Sequence, residues 1–379
     1  MIGRVKSIIG RKIVNILGWK TDRKIIVIES DDWGGISMPS KEAYETLLKN
    51  DIKVNTNPYS RYDSLASEQD LEALFEVLLK YKDSNGNPPV ITANTNVANP
   101  DFKKIKESGF KEYHYEPFTE TLKRYPKHTN SFNLWKEGIN QKIFIPQFHG
   151  REHLNAQLWL NELKEGKNKK LQLAFDLECF NLSKDAFLDN SKIYNTAFYP
   201  SNEHERKSMF SAIPSGLKLF EDIIGYKATS FIGTGYFWNR EIEKILQENG
   251  VMSLQGLPIQ KEPRLNGEKH TKRYNYTGKI NQHKQVFLVR NTFFEPTLKQ
   301  NIDTVNDCIE RIEVAFANKT PAIISSHRLN FIGYIDEQNR TDNLIMLNAL
   351  LKKIVQLWPD VEFMSSDQLA KIINTKKDG

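Results

Sequence analysis

Apolar and polar positions follow two rhythms along the chain. Short apolar runs rich in β-branched residues predict strands at KIIVIES (24–30), PVITANTNV (89–97), KIFIPQFH (142–149), LQLAFDLE (171–178) and ATSFIGTG (228–235). Further runs predict strands at VMSLQG (251–256), QVFLVRNTFF (285–294), PAIISSH (321–327) and VEFMSS (361–366). Between them a helical period predicts helices at 41–49, 67–80, 153–164, 205–223, 239–249, 301–318 and 341–357. Ser40 stands at a cap position, and Leu71, Leu74, Phe75 and Leu78 share one stripe. Recurrent strand and helix, with Asp31, His149 and His327 at strand ends, predicts an α/β barrel that presents its site at one end. One catalytic domain over 24–373 is expected. A polar, basic insertion at about 257–284 reads either as a solvated excursion or as a substrate-side flap carrying Tyr274 and Tyr276.

Of the 379 residues, 39% are hydrophobic, which supplies a large core and excludes wholesale disorder. Cys179 and Cys308 lie in hydrophobic segments without metal-binding spacing and read as buried hydrophobes, as in a reducing compartment. No uncharged run is long enough for a transmembrane span, and residues 1–20 do not read as a secretory signal. The net charge of +6 is unevenly placed. Residues 1–24 carry Arg4, Lys6, Arg11, Lys12, Lys20, Arg23 and Lys24 against Asp22, which accounts for all of it. A formally neutral remainder argues against nucleic acid. The basic stretch 1–23 reads as an amphipathic helix, with Ile2, Val5, Ile9, Ile13 and Ile16 at helical spacing. Two readings stand beside each other: peripheral contact with an anionic membrane through residues 1–20, or packing over the body.

His149 and His153, four apart in FHGREHLN, can face one side and converge on a cation. Asp31 and Asp32 follow a buried strand directly. One carboxylate of such a pair can ligate a metal while its neighbour accepts a proton from water, and the alternative is a turn or capping pair. Imidazole ligation makes zinc the default divalent ion, with cobalt, nickel or manganese also compatible.

Three motifs carry a resemblance. SDDWG (30–34) resembles the TFDDG signature of the polysaccharide deacetylase (NodB-like) family, FHGREH (148–153) its His-Ser/Thr-x-x-His motif, and ISSH (324–327) its late motif ending in a histidine. Their chain order is shared, and the resemblance spans roughly residues 24–370. It implies a distorted (β/α) barrel and a deacetylase of acetylated sugars. By motif position it implies Asp31 as general base, Asp32, His149 and His153 as metal ligands, and His327 as general acid.

The chain departs from that pattern. The family's Arg-x-Pro-Tyr/Phe motif, whose arginine tunes the base, is replaced by SFIGTGYFW, so Arg290, Arg151 or Arg328 is needed in its place. The acidic partner of His327 falls among Asp176, Glu178, Glu295 and Asp367, and Gly150 replaces the usual Ser or Thr. Trp33 is either a sugar platform or a lid on the core. Asn94 and Asn96 are sugar contacts or turn residues, and Tyr236 and Trp238 line the acetyl pocket or pack in the core. The expected function is metal-dependent deacetylation of an N-acetylated carbohydrate or polysaccharide precursor inside the cell. The alternatives are an O-acetyl esterase or small-acyl amidase on the same site, and an inactive carbohydrate-binding barrel.

Overall fold

The first predicted strand forms as Lys24–Trp33 (β1), buried from Ile25 onward. The computed structural model describes residues 14–180, 182 and 194–375. Twelve further strands follow: Ile91–Asn96 (β2), Ala98–Pro100 (β3), Tyr115–Pro117 (β4), Phe144–Gly150 (β5), Ser230–Phe231 (β6) and Ser253–Gly256 (β7), then Ile259–Glu262 (β8), Thr271–Tyr274 (β9), Val286–Val289 (β10), Thr292–Phe293 (β11), Ala322–His327 (β12) and Val361–Met364 (β13).

The main sheet is parallel throughout and runs β10-β7-β6-β5-β2-β1-β12-β11, with β13 paired to the start of β1. Its two ends are consecutive in sequence. The Arg290 N–H donates to the Gly256 carbonyl at 2.9 Å and the Asn291 N–H to the Ile323 carbonyl at 3.2 Å. One continuous segment thus bonds to β7 below and β12 above, and it closes the sheet into a distorted (β/α) barrel.

Strand alternation sorts the wall residues by face. Ile26 and Ile28 join the large outer core with the helices, whereas Ile25 and Val27 pack with Val286, Leu288 and Ile323 inside. Leu369, Ala370 and Ile373, on the helix Ser366–Thr375, join this inner cluster. Continuing the same parity, Glu29 and Asp31 extend it along β1, Ser325 and His327 along β12, and Arg290 follows Leu288. The barrel interior therefore changes from apolar to ionic along its axis. Each fully buried Ile or Val in the apolar half contributes about 1.5–3 kcal/mol, which helps offset the cost of the buried charges in the other half.

One predicted strand is corrected. All but the last two residues of LQLAFDLE lie on a helix, Lys169–Asp176, in which the Asn168 side chain caps Leu171 N. Leu171, Ala174 and Phe175 are buried at helical spacing, so a run that resembled a strand in composition obeys the helical period. The stretch 228–235 forms strand only at Ser230–Phe231, and QVFLVRNTFF is divided at Arg290–Asn291. The predicted helices lie within a few residues of their observed spans, with Ser40 accepting from Ala43 N.

The insertion holds the antiparallel pair β8–β9, where Ile259 faces Tyr274. Its tail runs along β10, with Gly278 N donating to the Phe287 carbonyl at 2.9 Å. Tyr274 is 67% exposed. Most of the basic segment 1–23 lies outside the described residues. Its end is pinned by Trp19 N to the Thr277 carbonyl at 2.8 Å and by Lys20 Nζ to the Asn15 and Asn318 carbonyls. Among the described residues, no helix is long and apolar enough to cross a membrane.

Candidate active site

Adjacent residues of a strand normally face opposite sides, yet Asp31 and Asp32 both reach the polar end of the barrel. A bulge is the reason. The pairing of β1 with β2 shifts between Ser30 and Trp33, and Asp32 has φ 74°. A non-glycine residue in the left-handed region is strained, and here the strain turns the second carboxylate toward β5. The same bulge sends Trp33 outward, edge-on to Phe144 at 4.7 Å and to Trp135 at 6.2 Å, with its indole N–H on Ser30 Oγ at 2.9 Å.

Asp32 meets two imidazoles. His149 Nε2 and His153 Nε2 each lie 3.3 Å from Asp32 Oδ1, and one potential ligand atom from each of the three residues falls within 4.8 Å of the others. His149 Nδ1 lies 2.9 Å from the Ile232 carbonyl, which only accepts, so Nδ1 carries the hydrogen. In the neutral ring, Nε2 then presents a lone pair to a carboxylate lone pair. A cation between them turns this repulsion into coordination, and two nitrogens with one oxygen suit a divalent transition metal. His153 Nδ1 is buried without a hydrogen-bond partner among the described residues, consistent with its other nitrogen being the one required. The residues therefore fit a metal ion.

Asp31 sits in a different environment. Arg290 donates from Nη2 to Asp31 Oδ1 at 2.6 Å and from Nη1 to Oδ2 at 2.8 Å, and its Nε donates to Glu29 Oε2 at 2.7 Å. Asn94 Nδ2 also donates to Asp31 Oδ1 at 2.7 Å. Burial raises the Asp31 carboxyl, but the guanidinium's charge and hydrogen bonds outweigh it and bring the pKa to about 2. Burial raises the Glu29 carboxyl despite the same guanidinium. Arg290 is fully buried, so these charges depend on one another.

His327 faces Asp31 from β12, with Nε2 3.7 Å from Asp31 Oδ2. Its Nδ1 lies 2.7 Å from Glu295 Oε1, and Asn330 Nδ2 holds Glu295 Oε2 at 2.7 Å. Burial disfavours the imidazolium, but the Glu295 charge and hydrogen bond, assisted by Asp32 and Asp31, raise its pKa to about 9. The site thus juxtaposes an anionic carboxylate with a protonated imidazole near neutral pH, beside a cluster suited to a cation.

No family model matches the sequence, and no curated protein matches it. Among solved structures the chain is similar to a probable polysaccharide deacetylase from Pseudomonas aeruginosa PAO1, at 9% identity and TM-score 0.46, covering 92% of this chain and 91% of the other. It is similar to a putative polysaccharide deacetylase from Mycobacterium smegmatis, at 10% identity and TM-score 0.42, covering 95% and 94%. It is also similar to 4-alpha-glucanotransferase from Thermococcus litoralis, at 11% identity and TM-score 0.43, covering 92% of this chain but 40% of that longer one.

Of the residues singled out in sequence, the structure brings together Asp31, Asp32, His149, His153, Arg290, His327, Glu295, Asn94 and Tyr236. The Tyr236 hydroxyl accepts from Arg290 Nη1 at 3.1 Å. Others lie elsewhere. Trp33 and Trp238 belong to the hydrophobic clusters. Arg151 engages Glu152 and Ser215 and lies over the Tyr115 ring at 4.1 Å. Arg328 is taken up by Asp63 and the Gly35 carbonyl. Asp176 pairs with Lys106, and Glu178 with Arg124. Sequence reasoning missed Glu29, although a carboxylate two positions before Asp31 in a buried strand marks the same face. It also missed Gln255, which exchanges hydrogen bonds with Asn94, and Tyr59, whose ring meets His327 edge-on.

Proposed function

We propose that this chain is a metal-dependent hydrolase that removes an acetyl group from an N-acetylated carbohydrate. The observation that carries this reading is the convergence of His149 Nε2 and His153 Nε2 on one oxygen of Asp32, beside Asp31 and His327, whose Nε2 lies 3.7 Å from Asp31 Oδ2. Asp32, His149 and His153 would hold a divalent ion, zinc by default, which when bound polarises the acyl carbonyl and lowers the pKa of water. Asp31 accepts the proton of the attacking water at Oδ2, which takes one hydrogen bond from Arg290 and faces His327, whereas Oδ1 is taken by both Arg290 and Asn94. Its low proton affinity keeps it ionised before attack and ready to release that proton afterwards. Arg290 fixes the carboxylate's plane, so Asp31 cannot swing toward the ligand cluster. His327 delivers a proton from Nε2 to the departing nitrogen while Glu295 holds Nδ1. The C–N bond breaks, the water oxygen stays with the acyl carbon, and acetate and a free amino sugar result.

The test is acetate release by metal-replete protein, measured separately on N-acetylated and O-acetylated glycans. Asp31→Asn is expected to lower turnover by about 10²–10⁴-fold with metal content unchanged. Release from esters alone refutes the amide assignment. Glycan binding that survives Asp31→Asn, with no turnover by the unaltered protein, identifies a binding barrel instead.

A further inference from the structure

The segment between the helices Lys41–Lys49 and Glu68–Leu79 contributes to the site in a way that the motifs do not mark. Asn57 caps the short helix Pro58–Tyr62, accepting from Tyr59 N at 2.9 Å. This helix presents the Tyr59 ring edge-on to His327, with centroids 5.2 Å apart and planes at 83°. Tyr236 approaches the same imidazole at 6.5 Å and 84°.

The position of Tyr59 is tied to the site by a buried clamp. Arg328, the residue after His327, donates from Nε and Nη2 to the two Asp63 oxygens at 3.0 and 2.8 Å, and from Nη1 to the Gly35 carbonyl at 2.7 Å. Ser37 Oγ donates to the Tyr59 carbonyl at 3.3 Å, and Met38 N to the Asp63 carbonyl at 2.9 Å. Arg328 therefore joins the loop after Asp32, the segment bearing Tyr59 and the end of β12. Asp63 and Arg328 are each 1% exposed, so breaking this pair leaves a buried charge behind.

The Tyr59 side chain is half-buried, and its hydroxyl makes no hydrogen bond to another described residue. Burial and the neighbouring charges of Glu295, Asp32 and Asp31 raise its pKa well above the usual phenol value, so the hydroxyl remains protonated. It is a fixed donor and acceptor beside His327, the group that faces the departing amine.

We infer that Tyr59 is a specificity-determining residue whose ring walls the sugar that carries the acylated nitrogen and whose hydroxyl hydrogen-bonds that sugar. This rests on the deacetylase reading above and adds the side of the site on which the carbohydrate lies. Aromatic rings with a polar tip suit a pyranose, which offers C–H faces and hydroxyls together.

The experiment compares the unaltered protein with Tyr59→Ala and Tyr59→Phe on two substrates, an N-acetylglucosamine oligomer and a linear N-acetylated amine without a sugar ring. Metal content and thermal melts are recorded for each variant, and oligomer binding is measured by calorimetry without turnover. Tyr59→Ala is expected to raise KM for the oligomer and weaken its binding by about tenfold or more, with KM for the linear substrate changed by less than about twofold. Tyr59→Phe keeps the wall and falls between. Equal losses on both substrates, or unchanged oligomer binding, overturn the assignment. Oligomer binding lost in Tyr59→Ala, from a protein that releases no acetate, keeps the contact and refutes the reaction. An unaltered protein that binds no oligomer overturns both.

Discussion

Replacing Glu295 with Gln isolates the group that sets the charge of His327. The two side chains meet at 2.7 Å, and Glu295 is 4% exposed, so solvent screens the pair little. With Glu295 present the His327 pKa rises from 6.5 to about 9. That shift corresponds to about 3 kcal/mol of preference for the imidazolium, because each unit is worth about 1.4 kcal/mol. Glutamine removes the charge, and its geometry is also unfavourable. Asn330 Nδ2 donates to the other carboxylate oxygen at 2.7 Å, so an amide whose oxygen faces His327 turns its own N–H groups toward that donor. With the opposing Glu295 charge gone, the burial that lowers the imidazolium is less compensated.

The sign of the stability effect follows from the raised pKa. Stabilisation by the charged pair is fully present below pH 6.5, the unfolded value, and is lost as pH rises through about 9. Glu295→Gln should therefore destabilise the protein more at pH 6 than at pH 10, by up to about 3 kcal/mol. Urea unfolding at the two pH values measures this difference. Titration of the His327 ring protons by NMR measures the pKa directly and should place it at least about one unit lower in the variant. In turnover, the alkaline limb should move toward neutrality by the same amount. A His327 midpoint unchanged within about half a unit would refute the assignment of Glu295 as its counter-charge.

Arg290→Met leaves Glu29 and Asp31 as neighbouring buried carboxylates, and denaturant unfolding at neutral pH should show a loss of about 3–5 kcal/mol. A loss below about 1 kcal/mol would mean that the ionic core is not closed by this guanidinium. Metal at a hundredfold excess over its Kd should stabilise the protein by about 2.7 kcal/mol, as read from thermal melts. Asp32→Ala should abolish both this gain and stoichiometric metal in elemental analysis, and retained metal would contradict the ligand set. Trp33→Phe should cost about 1–3 kcal/mol, through lost volume against Phe144 and Trp135 and the lost bond to Ser30, while leaving KM within about twofold. A large rise in KM would place Trp33 against substrate.

The barrel was legible because its staves are apolar runs of strand length between helical periods, and period is the strongest signal that a single sequence carries. The one strand that became a helix, over 169–176, failed where composition and period disagreed: Leu171, Ala174 and Phe175 keep helical spacing inside a stretch that also suits a strand. The site was legible as far as its residue types were unusual for buried strands. Asp31, His149 and His327 stand out at strand ends, and parity along β1 would have added Glu29. Residues contributed by irregular backbone were less visible. Tyr59 lies on a short helix with no long-range signal in the sequence, and Arg328 resembled a replacement for the missing motif arginine because only the fold reveals Asp63 beside it.

The bulge at Asp32 decides which side chains of SDDW reach the polar end of the barrel. Regular alternation through SDDW would put Asp31 inside, Asp32 outside and Trp33 inside, giving one carboxylate and an indole at the site. The extra residue reverses the second and third placements: Asp32 turns inward to His149 and His153, and Trp33 turns outward into the core. A pair of neighbouring carboxylates can serve two distinct roles only if the backbone breaks alternation between them. The strained φ of Asp32 is the local cost of placing a possible metal ligand and a possible base on consecutive residues.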